Sequence, residues 1–272
     1  MSGASAGPES SASFSVSLER GLSILSAFTG SRPVLGIADL ARAVDLNKST
    51  THRYVATLVK LGYVDQDPET RKYHLGPRVV DLGFAAIDSM ELTRVAAPSL
   101  QALADETGYT ASLALCDGPD IVYVDRRRSG RRSPLTIDLN LHVGSRLPAY
   151  CTALGKAMLA YKEATTLREI LDRTDMARRG PNTLTNREQL MAALAKVRET
   201  GLATNNEELA PGLRSLAAPV RDRTGEVVAA VNVAVHLSAA PSTPEALTRR
   251  VEPPLRRTVG EISRRLGYRP SA

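Results

Sequence analysis

Residues 36–76 constrain the fold most, because they contain two short amphipathic helices, a tight turn and a hairpin pattern in that order. The first helix repeats apolar residues on one face, at Ile37, Leu40, Ala41 and Val44. Asp45 occupies the turn, where aspartate tolerates a left-handed backbone. Asn47 is a good N-cap for a second helix ending near Lys60, since its side chain can accept hydrogen bonds from first-turn amides. The order predicts a winged helix-turn-helix.

The outward face of the second helix carries side chains suited to a DNA groove. The predicted DNA contacts are Asn47, Lys48, Ser49, Thr50, His52 and Arg53, with Arg71 and Lys72 on the wing. Short donors suit phosphates and base edges, and an arginine fork suits guanine. A polar helix face is commonly only a solvated surface. The prediction of an operator-reading helix therefore depends on the turn, the cap, the basic outward face and the hairpin together, and not on any single side chain.

Composition allows two domains in 272 residues, and no apolar run is long enough to span a membrane. Residues 1–16 are small and polar and predict a disordered tail, not a secretion signal. We therefore expect a cytoplasmic protein, in which Cys116 and Cys151 form no disulfide. The net charge of +6 is weak evidence for DNA binding, because residues 1–80 hold nine Lys/Arg against seven Asp/Glu.

Beyond the wing, the pattern predicts a linker helix over residues 77–91 and a second domain over 92–268. This domain alternates helices with hairpin-forming strands, including a strand at 134–139 and another that ends at Tyr150. Antiparallel strands flanked by helices predict the α+β class. The arginines at 126–132 lie between two of these strands, and we interpret them as a solvated edge more readily than as a second DNA contact.

Several segments resemble the IclR-type bacterial transcription regulators, from residue 17 almost to the end of the chain. They are LERGLSIL (18–25), KSTTHR (48–53), LGPRV (75–79), LPAYCTALGKA (147–157), Glu207-Glu208 and GLRS (212–215). Two positions depart from the family pattern. Asp45 stands where glycine is common, and Thr51 stands where an apolar residue is usual.

The resemblance implies a winged helix-turn-helix, a GAF-like or profilin-like effector-binding domain and a linker helix that pairs subunits. A dimer, assembling to a dimer of dimers, also suits DNA reading, because two related helices about 34 Å apart reach successive major grooves. Matching the family residue by residue places effector contacts at Ala153, Leu154, Asn205, Ser215, Asn232 and Ala234. The amino-acid sequence of residues 147–160 and 209–233 is similar to that of regulators of aromatic-acid catabolism. The resemblance implies ligands such as protocatechuate, 4-hydroxybenzoate and β-ketoadipate.

Three interpretations of the second domain compete: a pocket for a small organic acid, an enzyme, or a dimerisation module on a ligand-independent repressor. For a pocket, residue type and position add Arg146, Tyr150 and Thr152 as polar partners of an acid, although Arg146 could pair with Glu207 or Glu208 instead. An enzyme would use Cys151 with His142 or Glu208. The sequence has no nucleophile elbow, phosphate loop or metal-ligand spacing. We therefore predict a regulator with no catalytic residue, metal or cofactor.

Overall fold

The computed structural model describes residues 14–89, 91–130, 141–236 and 243–269, in two compact units that divide at residue 87. Nearly all of the predicted tail and the whole predicted strand at 134–139 lie outside these residues. The linker helix, predicted over 77–91, spans Pro77–Ser89 and crosses the division between the units. None of the described helices is long and apolar enough to cross a membrane.

The first unit has the predicted order of elements. Its helices are α1 (Val16–Ser26), α2 (Ile37–Ala43), α3 (Lys48–Lys60) and most of α4 (Pro77–Ser89), and its strands are β1 (Val64–Gln66) and β2 (Tyr73–Leu75). The two strands pair antiparallel as a wing. Ile24, Leu40 and Val55 are fully buried where α1, α2 and α3 meet. Leu35 exchanges two backbone hydrogen bonds with Tyr73, which ties the wing to the segment before α2.

The second unit is a six-stranded antiparallel sheet in the order β5-β4-β3-β8-β7-β6. Its strands are β3 (Thr110–Asp117), β4 (Asp120–Arg127), β5 (Arg146–Pro148), β6 (Ala203–Asn206), β7 (Leu213–Arg221) and β8 (Val227–His236). Its helices are α5 (Glu91–Thr107), α6 (Ala153–Leu159), α7 (Ala164–Asp172), α8 (Arg187–Thr200) and α9 (Pro244–Arg265).

Helices cover both faces of this sheet and create two cores. Alternate strand residues such as Leu113, Leu216 and Val231 pack in the core with α5 and α9. The intervening residues, Ala114 and Ala217 among them, face a second core with α6, α7 and α8. Alternation along each strand produces this division. The α+β prediction is confirmed.

One boundary prediction that bears on the effector site was wrong. The strand predicted to end at Tyr150 ends at Pro148, and Ala149–Cys151 form a 3-10 turn. Pro148 has no backbone N–H to donate to a ladder, so a strand ends readily there. The following helix, Ala153–Leu159, has seven residues.

Candidate nucleic-acid interface and effector pocket

The turn before α3 explains both departures from the family pattern. Asp45 adopts the left-handed conformation with φ of 49°. Asn47 caps α3, because its Oδ1 accepts from the Thr50 amide at 2.8 Å. Thr51 is fully buried, and its hydroxyl donates to the Asn47 carbonyl at 3.0 Å. A threonine therefore fits this core position because its one polar group is satisfied within the helix.

The remaining side chains of the predicted DNA contact face outward. Lys48, Ser49, His52 and Arg53 are exposed on the first two turns of α3, and Thr50 is half-buried. Tyr54 instead turns toward α1, where its hydroxyl donates to Ser17 Oγ at 3.4 Å. Its contacts with Ser17 and Arg20 lower the pKa of Tyr54. The structure thus brings four polar side chains to one exposed helix face.

The wing carries its two predicted basic residues at the end of a tight turn. Asp67 Oδ1 accepts from the amides of Glu69 and Thr70, and the hydrogen bonds from Thr70 lower the pKa of Asp67. Arg71 has a φ of 58°, and both Arg71 and Lys72 are exposed. The wing therefore presents two cations that could contact a phosphate backbone.

In the second unit, four cross-strand partners form a row across the sheet under α6, and the three polar ones, Asn205, Ser215 and Thr110, are buried. Asn205, Ser215, Ala234 and Thr110 are successive cross-strand partners on β6, β7, β8 and β3. Cross-strand partners share a face, and Ala203 and Ala217, two residues along from Asn205 and Ser215, pack in the core beneath α6. Three of the six family-matched effector positions therefore lie side by side.

A second row runs beside the first and contains Asn232. This residue is paired with Ala217 on β7 and with Ser112 on β3. Asn232 is 4% exposed, and its Oδ1 has no hydrogen-bond partner in the part of the chain that the structure describes. A buried amide oxygen without a donor is costly, so Asn232 can accept a hydrogen bond from a bound molecule.

The start of α6 lies over this polar surface. The Thr152 hydroxyl caps the helix by accepting from the Gly155 amide at 3.1 Å, and Ala153 and Leu154 are buried. A β-carbon on Gly155 would lie 2.1 Å from the Ala149 carbonyl oxygen, so glycine allows the turn and helix to pack directly. The seven-residue helix supplies first-turn amides but only a small dipole.

Asn205 and a buried ion pair join α6 to the loop after β6. Asn205 Nδ2 donates to the Cys151 carbonyl at 3.1 Å, and its Oδ1 accepts from the Glu208 amide at 3.0 Å. Lys156 Nζ lies 2.5 and 2.6 Å from the two Glu208 carboxylate oxygens, with both residues buried. Burial lowers the pKa of Lys156, and the Glu208 charge opposes that shift. The amide of Asn205 is thus engaged within the protein.

The structure does not bring Arg146 to this surface. Its guanidinium lies 2.7 Å from Asp117 Oδ2 and 3.4 Å from Asp120 Oδ2, on a half-exposed side chain at the opposite edge of the sheet. The alternative pairing of Arg146 with Glu207 or Glu208 was also wrong. Tyr150 is buried, and its hydroxyl donates to the Ala177 carbonyl. Neither residue has the position expected of an acid's partner.

The residues proposed for an enzyme are not assembled either. Cys151 is fully buried, and burial raises the pKa of its thiol to about 11. His142 Nδ1 lies 3.2 Å from Ser145 Oγ, and Glu208 is held by Lys156. A buried thiol with a raised pKa is a poor nucleophile, and the carboxylate that could act as its base is paired with Lys156.

Two protein-family models match most of this chain. Residues 17–68 match the IclR helix-turn-helix domain, and residues 84–264 match the C-terminal domain of bacterial transcriptional regulators of the IclR type. The chain belongs to the IclR family. It is a transcriptional regulator with a DNA-binding helix-turn-helix domain, and its relatives are regulators and not enzymes.

Two relatives and one solved structure relate this regulator to the aromatic-acid branch of the IclR family. The Pca regulon regulatory protein of Pseudomonas putida is 39% identical over 224 residues, or 82% of this chain and 75% of the relative. The p-hydroxybenzoate hydroxylase transcriptional activator of Acinetobacter baylyi is 29% identical, covering 90% and 89% of the two chains. An IclR homolog from Microbacterium hydrocarbonoxydans complexed with 4-hydroxybenzoate has a TM-score of 0.76 at 25% identity, covering 92% and 98%.

Sequence reasoning missed Lys156 and Glu208 as a pair that supports the effector surface. One signal was present, because Lys156 is the only charged residue between Leu147 and Ala160. A lysine in such an apolar helix needs a buried counter-charge. The pairing itself could not be predicted, because the two residues are 52 positions apart in the chain.

Proposed function

We propose that this regulator binds operator DNA in the cytoplasm through α3 and the wing, and that a small organic acid bound in the second unit controls its affinity for DNA. The observation that supports operator reading most directly is the exposure of Lys48, Ser49, His52 and Arg53 on one face of a capped recognition helix. In helix-turn-helix proteins this part of the second helix contacts base edges.

Substitution of Arg53 tests the reading role of α3. If Arg53 forms a bidentate contact with a base, Arg53→Ala weakens specific operator binding by about 1 to 3 kcal/mol and relaxes specificity at one position. Fluorescence anisotropy on the operator and on a scrambled duplex measures both the affinity and the specificity. Equal weakening on both duplexes would assign Arg53 to a phosphate. Unchanged binding of both duplexes would show that Arg53 does not contact the DNA.

The effector we propose is an aromatic acid such as 4-hydroxybenzoate or protocatechuate, or the ring-cleavage product β-ketoadipate. The names of the Pca and p-hydroxybenzoate relatives and the 4-hydroxybenzoate complex support this class. We propose that the pocket lies between the polar rows that hold Ser215 and Asn232 and the first turn of α6, which holds Ala153 and Leu154.

Energetics favour a charged ligand over a neutral one. Driving a two-state switch from mostly one state to mostly the other needs about 5.5 kcal/mol of differential binding. One neutral hydrogen bond contributes only about 1 kcal/mol. Charge-assisted hydrogen bonds to a carboxylate are stronger, and several ligands on one oligomer add their effects. We propose that the ligand acts on the recognition helices through α4.

We also propose that the regulator is a dimer on its operator, assembling further to a dimer of dimers. In the first unit, α1 and Phe14, two residues before it, leave large apolar side chains in solvent, since Phe14 is 73% exposed, Leu18 63% and Leu22 55%. On α4, Val80 and Leu82 are each 55% exposed. Phe14, Leu18 and Leu22 are four positions apart and share one side, and an exposed apolar surface of this kind indicates contact with a partner chain.

Leu22→Glu should shift the regulator toward monomer, because the new carboxylate would be buried without a partner in the dimer contact. Analytical ultracentrifugation measures the fraction of dimer. Met191→Glu on α8 is the control, since Met191 is also exposed but lies in the other unit. An unchanged dimer in Leu22→Glu would remove α1 from the subunit contact.

A further inference from the structure

The second polar row continues onto β4, where it ends at Arg126. Ser112 pairs with Asn232 on one side and with Arg126 on the other. Because cross-strand partners share a face, the three side chains stand on the side of the sheet that faces α6. Neither Arg126 nor Ser112 was among the predicted effector contacts.

Arg126 differs from the other arginines of its loop. Its side chain is half-buried and its Nε is shielded from solvent, whereas Arg128 is exposed. Arg127 faces the other way and forms an ion pair with Asp125 at 2.8 Å. The interpretation of residues 126–132 as a solvated edge is therefore wrong for Arg126.

Tyr123, on the same strand, is a buried residue that feels the charge of Arg126. It packs in the core beneath α6, where burial raises the pKa of its hydroxyl to about 12 and the Arg126 charge partly opposes that rise. The guanidinium of Arg126 is thus close enough to act on a buried hydroxyl of this core. A positive charge beside Ser112 and the unsatisfied Asn232 oxygen matches a ligand that has both a carboxylate and a hydrogen-bond donor.

We propose that Arg126 is the residue that recognises the effector's carboxylate, and that Ser112 and Asn232 hydrogen-bond the same ligand. The inference rests on the proposed acid-responsive function and makes that function more specific. Arg126 on β4 thus takes the role of acid-binding cation that we had predicted for Arg146. An arginine fork binds a carboxylate through two parallel hydrogen bonds, which would give the pocket its preference for acids over neutral analogues of the same shape.

The test compares each acid with its neutral amide by isothermal titration calorimetry on the full-length protein. The ligands are 4-hydroxybenzoate with 4-hydroxybenzamide, protocatechuate with its amide, and β-ketoadipate with its diamide. We expect Arg126→Gln to weaken binding of the preferred acid on the order of tenfold or more. Its affinity for the corresponding amide should stay within about twofold of wild type, because an amide has no charge for Arg126 to neutralise. Arg146→Gln, the matched control, should leave both affinities unchanged.

Each outcome of this experiment either supports or overturns the assignment of Arg126. An acid that binds wild type and Arg126→Gln equally overturns the assignment of Arg126 while leaving an acid-responsive regulator intact. If none of the three acids binds the wild-type protein, the proposed effector class and this inference fail together. Arg126→Lys guards against a folding defect, since it keeps the charge, and we expect it to bind the acid with an affinity between those of wild type and Arg126→Gln. Loss of acid and amide binding together in both variants would show a structural role and would also overturn the proposal.

Discussion

Lys156→Met should destabilise the second unit by about 3 to 5 kcal/mol, because it leaves the Glu208 carboxylate buried without its counter-charge. The Glu208 oxygens lie 2.5 and 2.6 Å from Lys156 Nζ, and the two residues are only 3% and 7% exposed. For a unit of this size, each kcal/mol lowers the melting temperature by about 2 to 4 °C. Differential scanning calorimetry should therefore show a fall of about 10 °C in the transition of the second unit.

Two control variants separate the buried charge from a general effect of mutation. The double variant Lys156→Met/Glu208→Leu removes both charges, and we expect it to recover most of the lost stability. Arg187→Gln breaks an exposed pair with Asp172 and should have little effect. A loss below about 1 kcal/mol in Lys156→Met would mean that the Glu208 carboxylate does not depend on Lys156.

Gly155→Ala should displace the start of α6 and abolish effector binding. The added β-carbon would lie 2.1 Å from the Ala149 carbonyl oxygen and 2.3 Å from its Cα, and the obstacle is backbone that no side-chain rotation can move. Overpacking of a core typically costs about 1 to 3 kcal/mol, and a backbone clash belongs at the upper end. Calorimetric unfolding measures the loss of stability, and titration with the preferred acid measures the loss of binding.

Gly260→Ala is the matched control with the opposite expected sign. Gly260 lies inside α9, and a β-carbon there would have nothing within 4 Å. Alanine in an exposed helix interior is more stable than glycine by about 0.5 to 1 kcal/mol. We expect a lower melting temperature for Gly155→Ala and a slightly higher one for Gly260→Ala. A Gly155→Ala protein with normal stability and binding would contradict the packing described for α6.

The sequence was most informative where local rules decide the structure. Asn47 could be predicted to cap α3, and Asp45 to adopt a left-handed conformation, because both depend on a few neighbouring residues. The hairpin of β3 and β4 follows from alternation and a turn in the same way. Helix α1 was harder to interpret, since Leu18 and Leu22 share an apolar stripe but lie in solvent. Periodicity identifies an apolar face without showing what covers it.

The effector surface depends on contacts that are distant in sequence, and there prediction from the sequence alone was weaker. Arg146 was favoured by its place just before Tyr150, yet the structure pairs it with Asp117 and Asp120 across the β4–β5 edge. Arg126 was placed in a solvated loop, yet it continues β4 and aligns with Ser112. Strand register sets these neighbours, and a shift of one residue would reverse the face of every side chain.

Operator affinity measured with and without effector tests the central claim most directly. The measurement is fluorescence anisotropy of the purified protein on a duplex from the region upstream of its own gene, compared with a scrambled duplex, while 4-hydroxybenzoate, protocatechuate or β-ketoadipate is added. We predict tighter binding to the upstream duplex than to the scrambled one, and a change of on the order of tenfold or more with one acid. Equal affinity for both duplexes, unaltered by every acid, would contradict the account.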